Sequence, residues 1–134
     1  MTKDTMQIVR EQDVVPFRNR VREFAAKIGM SLVNQTKLIT AASELVRNML
    51  KYASGGKVIL EIISKSAQTG VRLTFVDEGP GISDIKQAMQ DGFSTGRSLG
   101  LGLPGAKRLV NEFDIQSTPG TGTTVTIIHW KHGR

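Results

Sequence analysis

Apolar residues recur along this chain with two distinct periods, and the changes between them divide it into elements. After Asp13, placed as a helix cap, Val14, Phe17, Val21, Phe24 and Ile28 fall three or four residues apart, which is one face of a helix that Gly29 ends. Ser31 opens a second helix, predicted through Tyr52 and stopped by Gly55-Gly56. Leu38, Ala42, Leu45 and Met49 share one side of it, and Lys37, Glu44, Asn48 and Lys51 the other. Alternating, β-branched segments predict strands at residues 6–10, 57–63 and 71–76, the last two joined by a polar turn over 64–70. A third helix is predicted over 104–113, with closing strands at 114–117 and 123–130 around Pro119-Gly120.

Between Gly79 and Gly102 the periodicity fades while Gly, Ser and Asp accumulate, with room for one short helix at 84–89. So long a stretch between packed elements is read as a functional lid, residues 82–101. The order of elements predicts an α+β fold, a two-layer α/β sandwich whose mixed, mostly antiparallel sheet carries the helices on one face. With 134 residues, no repeat and no linker, the expectation is a single domain over 1–134 with one site.

Composition narrows the chemistry. Having no cysteine, the chain has no disulfide framework, thiolate metal site or cysteine nucleophile. No apolar run approaches the roughly 18 residues that a membrane span needs, and no leader pattern opens the chain, so a cytoplasmic protein without membrane contact is expected. Eighteen basic against 12 acidic side chains give a formal charge of +6, which suits a polyanionic partner. The cations are scattered and there is one Tyr and one Trp, which disfavours a base-stacking nucleic-acid platform. His129 and His132 lack ligand-spaced partners and are read as surface residues, and Trp130 as a packing residue at a strand end.

Four short segments carry candidate chemistry. Asp77-Glu78-Gly79-Pro80-Gly81 follows a strand, so the Asp77 carboxylate projects past the sheet, where it suits the exocyclic amino group of adenine and repels the guanine carbonyl. Its bland alternative is a Pro-Gly turn. Glu44, Asn48 and Lys51 lie within about 60° of one another around a helix axis, which groups a proton acceptor, an amide oxygen suited to Mg²⁺ and an ammonium suited to a terminal phosphate. Taken alone, that stripe is better read as a solvated helix face. Gly92 to Gly105 supplies a glycine-rich approach to a helix start, where backbone N–H groups hold phosphate. It does not fit a dinucleotide fingerprint, since no strand precedes it, nor a P-loop, since Ala106-Lys107 follow Gly105. Lastly, Gly120-Thr121-Gly122-Thr123 opens the final strand, and a threonine hydroxyl there is within reach of Asp77 or of a bound base through water.

The order of these segments is more specific than any one of them. SELVRNMLKYASGG, VDEGPGI, DGFSTG, LGLGLPGAKRLVNEF and GTGTTVTI together resemble the GHKL superfamily, with its Bergerat ATP-binding fold, and within it the RsbT-type switch kinases, a branch of the anti-sigma-factor serine/threonine kinases. The resemblance implies ATP and Mg²⁺ as cofactors, Glu44 as the general base or water-orienting residue, Asn48 as the Mg²⁺ ligand, Lys51 as a phosphate contact, Asp77 as the adenine reader and Thr123 as its helper. It further implies that Gly79 and Gly81 line the adenine side, that Gly96, Gly100 and Gly102 shape the lid and phosphate wall, and that Arg97 and Lys107 neighbour the phosphates. The implied function is a protein-serine/threonine kinase of a stressosome-type partner-switching module, phosphorylating a STAS-domain antagonist or scaffold and then activating a PP2C-type phosphatase. Glu44 stands where histidine kinases often carry Asn, and this departure disfavours histidine phosphorylation. The alternative reading is an anti-sigma factor that sequesters a sigma subunit, with an orphan ATPase behind it.

Overall fold

Helix–strand alternation, laid out as the periodicity predicts, closes into one sheet with the helices on a single face. The computed structural model describes residues 2–79 and 102–134. Its strands are β1 (Lys3–Ile8), β2 (Gly56–Lys65), β3 (Gln68–Asp77), β4 (Glu112–Thr118) and β5 (Gly122–Trp130), and its helices α1 (Val14–Lys27), α2 (Leu32–Ala53) and α3 (Gly102–Leu109). The sheet order is β1-β2-β3-β5-β4, and every pairing among the described residues is antiparallel. The expected 82–101 lid and its 84–89 helix lie outside the described residues.

The core lies between sheet and helices. Val71, Leu73 and Phe75 alternate inward along β3 while Arg72, Thr74 and Val76 face the other side, as a half-covered strand requires. Phe17 of α1 meets Phe75 edge to face with ring centroids 6.1 Å apart. Leu38, Leu45 and Val46 of α2 complete the layer, and each such buried side chain contributes roughly 1.5–3 kcal/mol.

α2 holds its length because both ends are closed. The Ser31 hydroxyl accepts the Asn34 N–H at 3.2 Å. At the other end Ser54 turns left-handed (φ 58°) and the Gly55 N–H reaches the Met49 carbonyl at 2.9 Å. At the start of α1 the carboxylate of Asp13 accepts the backbone N–H groups of Val9 and Arg10 instead of capping its own helix. These two bonds hold its pKa below the usual carboxylate value.

Several boundaries differ from the sequence reading. The first strand runs Lys3–Ile8, not 6–10. The β2–β3 hairpin turns on two residues, Ser66 and Ala67, both left-handed (φ 51° and 65°), so the strands absorb most of the polar 64–70 stretch. Gly70 becomes a strand residue opposite Trp130, whose ring occupies the space a side chain would need. The third helix stops at Leu109 because Glu112 and Phe113 are already paired with β5.

His129 is the plainest correction, since the expected surface residue is fully buried. It alternates inward with Val125 and Ile127 on β5 and meets the Asn34 side-chain oxygen through Nε2 at 3.0 Å, while Nδ1 has no partner among the described residues. The Asn34 amide also donates to the backbone oxygens of Lys131 (3.4 Å) and Gly133 (3.0 Å), tying the C-terminal residues to the start of α2. Burial, with Lys37 adding repulsion, pushes the imidazole pKa down from 6.5 to about 4. The unfolded chain therefore takes up a proton between these values and the native chain does not, so stability is full above pH 6.5 and falls as pH drops towards 4. A loss of roughly 2–3 kcal/mol across that window is expected, read from urea midpoints, and a His129→Gln chain should lack that component.

Candidate functional site

The strand β3 ends at Asp77, and pairing with β5 sets Thr123 directly opposite. Asp77 Oδ1 accepts two backbone N–H groups, from Gly79 at 3.0 Å and from Thr123 at 3.3 Å. Both anchors use one oxygen, and Oδ2 has no hydrogen-bond partner among the described residues. Thr123 thus touches Asp77 directly through its backbone N–H. The hydroxyl lies 2.8 Å from Ser117 Oγ across the β4–β5 pair. Ser117 donates its single hydrogen to the Gly122 carbonyl at 3.0 Å, so Thr123 is the donor between the two hydroxyls.

Glycines let neighbouring chain segments approach this strand end closely. Gly122 takes φ 140°, and a Cβ there would strike the Asp77 carbonyl oxygen. A Cβ on Gly79 would lie 2.5 Å from the Ala53 Cβ at the end of α2 and 3.3 Å from Asp77 Oδ1. The strand end and the helix end are therefore in direct contact. Asn48 lies five residues before Ala53, roughly 7–8 Å back along the α2 axis.

The polar stripe of α2 is graded, not uniformly solvated. Glu44 and Asn48 are half-buried and Lys51 is exposed. The Glu44 side chain retains only 12% exposure, and Oε1 is held by Arg47 at 3.2 Å. Oε2 of Glu44 and the Asn48 amide have no hydrogen-bond partner among the described residues. The Lys51 ammonium sits 5.2 Å from the centre of the Tyr52 ring, a cation–π position. α3 packs along α2, opening at Gly102 (φ 62°), and Lys107 is exposed in its last turn. Gly81, Gly96, Arg97 and Gly100 lie outside the described residues.

Two participants escaped the sequence reading. Arg47 pairs with Glu44 at the i, i+3 spacing of a helix, a signal present in the sequence. Ser117 supports Thr123 only through strand register, which no local pattern announces. Chemically, the site offers a carboxylate at the sheet margin with one oxygen fixed, a nearly buried carboxylate on the neighbouring helix and, on the same helix, an amide without a partner among the described residues. No group of three or more His, Asp or Glu residues suited to a metal occurs among the described residues. The Asn48 side-chain oxygen is of the type that Mg²⁺ accepts alongside phosphate and water.

An α/β sandwich with a strand-end carboxylate beside the end of a helix that carries a polar stripe suits a nucleotide-binding class. Residues 33–134 match the model described as histidine kinase-, DNA gyrase B-, and HSP90-like ATPase, and the chain belongs to that family, whose nucleotide is ATP. It is 42% identical over 125 residues to the serine/threonine-protein kinase RsbT of Bacillus subtilis, covering 93% of this chain and 94% of that protein. It is 32% identical over 112 residues to the anti-sigma F factor of Caldanaerobacter subterraneus, covering 81% and 78% respectively. Among solved structures, the RsbU and RsbW domains of a Mycobacterium tuberculosis protein align with TM-score 0.68 at 21% identity, over 96% of this chain and 32% of that one. The mycobacterial sensor histidine kinase MprB aligns with TM-score 0.57 at 17% identity, over 95% and 96%. At such identities the likeness is one of fold, and it agrees with the α+β sandwich expected from the sequence. No helix among the described residues is long and apolar enough to cross a membrane.

Proposed function

We propose that this chain is a Mg²⁺-dependent protein-serine/threonine kinase of a bacterial partner-switching module, transferring the γ-phosphoryl group of ATP to a STAS-domain antagonist or scaffold and then engaging a PP2C-type phosphatase. The observation that carries the reading is the 42% identity to a serine/threonine-protein kinase along nearly the whole of both chains. The anti-sigma reading has its own support in the 32% identity to anti-sigma F factors, and binding to a sigma subunit rather than phosphorylation of a STAS protein would favour it.

In this reading Asp77 accepts the adenine amino hydrogen through Oδ2, its other oxygen being fixed by Gly79 and Thr123. Gly79, Gly81 and Thr123 line the base, and Lys51 and Lys107 supply positive charge towards the phosphates, with Gly96, Arg97, Gly100 and Gly102 forming the lid side. Asn48 offers its side-chain oxygen to Mg²⁺, which supplies charge neutralisation when bound. Glu44 takes the proton of the acceptor hydroxyl as that oxygen bonds to the γ-phosphorus and the bond to ADP breaks. Arg47 orients the Glu44 carboxylate and leaves Oε2 for the proton.

The test is transfer of labelled γ-phosphate to purified STAS-domain proteins. Wild type is expected to label a serine or threonine, and Asn48→Ala to transfer at least about tenfold more slowly at low Mg²⁺, with partial recovery as Mg²⁺ is raised. Full activity of Asn48→Ala at limiting Mg²⁺ would remove the metal assignment.

A further inference from the structure

The end of the molecule away from Asp77 carries a feature that the nucleotide reading does not use. Thr123 and His129 stand six residues apart on β5, so the two ends of the sheet are separated by on the order of 20 Å. At the His129 end, α2 begins with Leu32 and Val33, exposed by 79% and 65%. Single exposed apolar residues are ordinary, but two adjacent ones at the start of a capped helix make a continuous apolar step.

The two segments that carry that step are poor in acidic side chains. Residues 24–43 contain no Asp or Glu, and neither do residues 128–134. These two segments lie together, because the Asn34 amide binds the backbone oxygens of Lys131 and Gly133. The Lys131 side chain crosses the α1–α2 turn, where a Cβ on Gly29 would lie 3.3 Å from its Cε and Nζ. Lys27 closes the last turn of α1, and Lys37 stands one turn beyond Val33 on the same side of α2. On neighbouring elements Glu23 pairs with Arg20, and Glu112 accepts the Trp130 indole N–H while keeping its charge.

From this pattern we infer that Leu32 and Val33, framed by Lys37 and Lys131, form a docking surface for an acidic amphipathic segment of a protein partner. Its apolar side chains cover the Leu32–Val33 step and its carboxylates face the lysines. An apolar centre with a charged rim is the composition of a transient protein interface, in which the rim sets partner choice and encounter rate. The surface is remote from Asp77, Glu44 and Asn48, so a partner seated there leaves the nucleotide end open. The inference does not depend on the kinase reading.

The probe is a fluorescein-labelled amphipathic peptide with leucines at helical i, i+3, i+4 and i+7 positions and glutamates between them, followed by anisotropy against the full chain. The control peptide carries lysines in place of the glutamates. The acidic peptide is expected to bind wild type, to bind less tightly as salt is raised, and to bind at least about tenfold more weakly to Leu32→Ser/Val33→Ser and to Lys131→Glu. Both variants should keep the wild-type circular dichroism and bind fluorescent ATP normally, which separates loss of the surface from loss of fold or of the nucleotide site. Equal binding of the two peptides, or an unchanged affinity in the double variant, would overturn the inference. So would self-association in sedimentation equilibrium that the double variant abolishes, or binding to phosphatidylglycerol vesicles in preference to the peptide, since either assigns the surface to another occupant.

Discussion

Asp77→Asn is expected to fold normally and to bind ATP at least about 100-fold more weakly, a loss of roughly 3 kcal/mol. The asymmetry of the two carboxylate oxygens gives the reason. Oδ1 receives the N–H groups of Gly79 and Thr123, and an asparagine retains an oxygen for both. Its NH₂ group must then take the place of Oδ2, so a donor faces the adenine amino donor and an attractive contact becomes a repulsive one. Isothermal titration with a non-hydrolysable ATP analogue reads the affinity, and the urea midpoint reads the fold. Wild-type affinity in this variant would place the base elsewhere and remove the pocket assignment.

Glu44→Gln should separate chemistry from binding. The amide matches the carboxylate in shape and still accepts from Arg47, but it cannot take a proton from an incoming hydroxyl. Phosphoryl transfer is expected to fall by about 10²–10⁴-fold while ATP affinity stays within about twofold. Single-turnover labelling of a STAS-domain acceptor reads the first quantity and titration reads the second. An unchanged transfer rate would show that the proton leaves by another route.

The helical half of this fold was legible in the sequence because its signals are local. The spacing from Val14 to Ile28, the Ser31 cap and the Gly55 stop each act within a turn or two of chain, and α1 and α2 appear within a residue or two of where those signals place them. Strand ends were less legible. Ser66 and Ala67 have none of the glycine or asparagine that commonly marks a left-handed two-residue turn, so only the pairing of β2 with β3 reveals it. His129 misleads for a related reason: a polar residue near a chain end reads as exposed until Asn34, 95 positions away, is seen to meet its Nε2.

The candidate site divides in the same way. Asp77 and the Glu44–Asn48 spacing stand out as residue types in order, and the Gly79–Ala53 contact brings the strand end and the helix end together. Arg47 was readable from its spacing to Glu44 but was lost among the scattered cations. The attachment of Thr123 through its backbone N–H, and of its hydroxyl through Ser117, depends on which residues face one another across three strands.

That dependence links recognition to correct strand alignment. A one-residue slip of β5 would turn its inward residues outward, carrying His129 out of the core and moving the Thr123 N–H away from Asp77. The same error would thus cost buried surface at one end of the strand and misplace the acceptor at the other. A chain that captures nucleotide has thereby already proofread its own sheet, and ligand-dependent protection of β5 amides would report completed folding as well as occupancy.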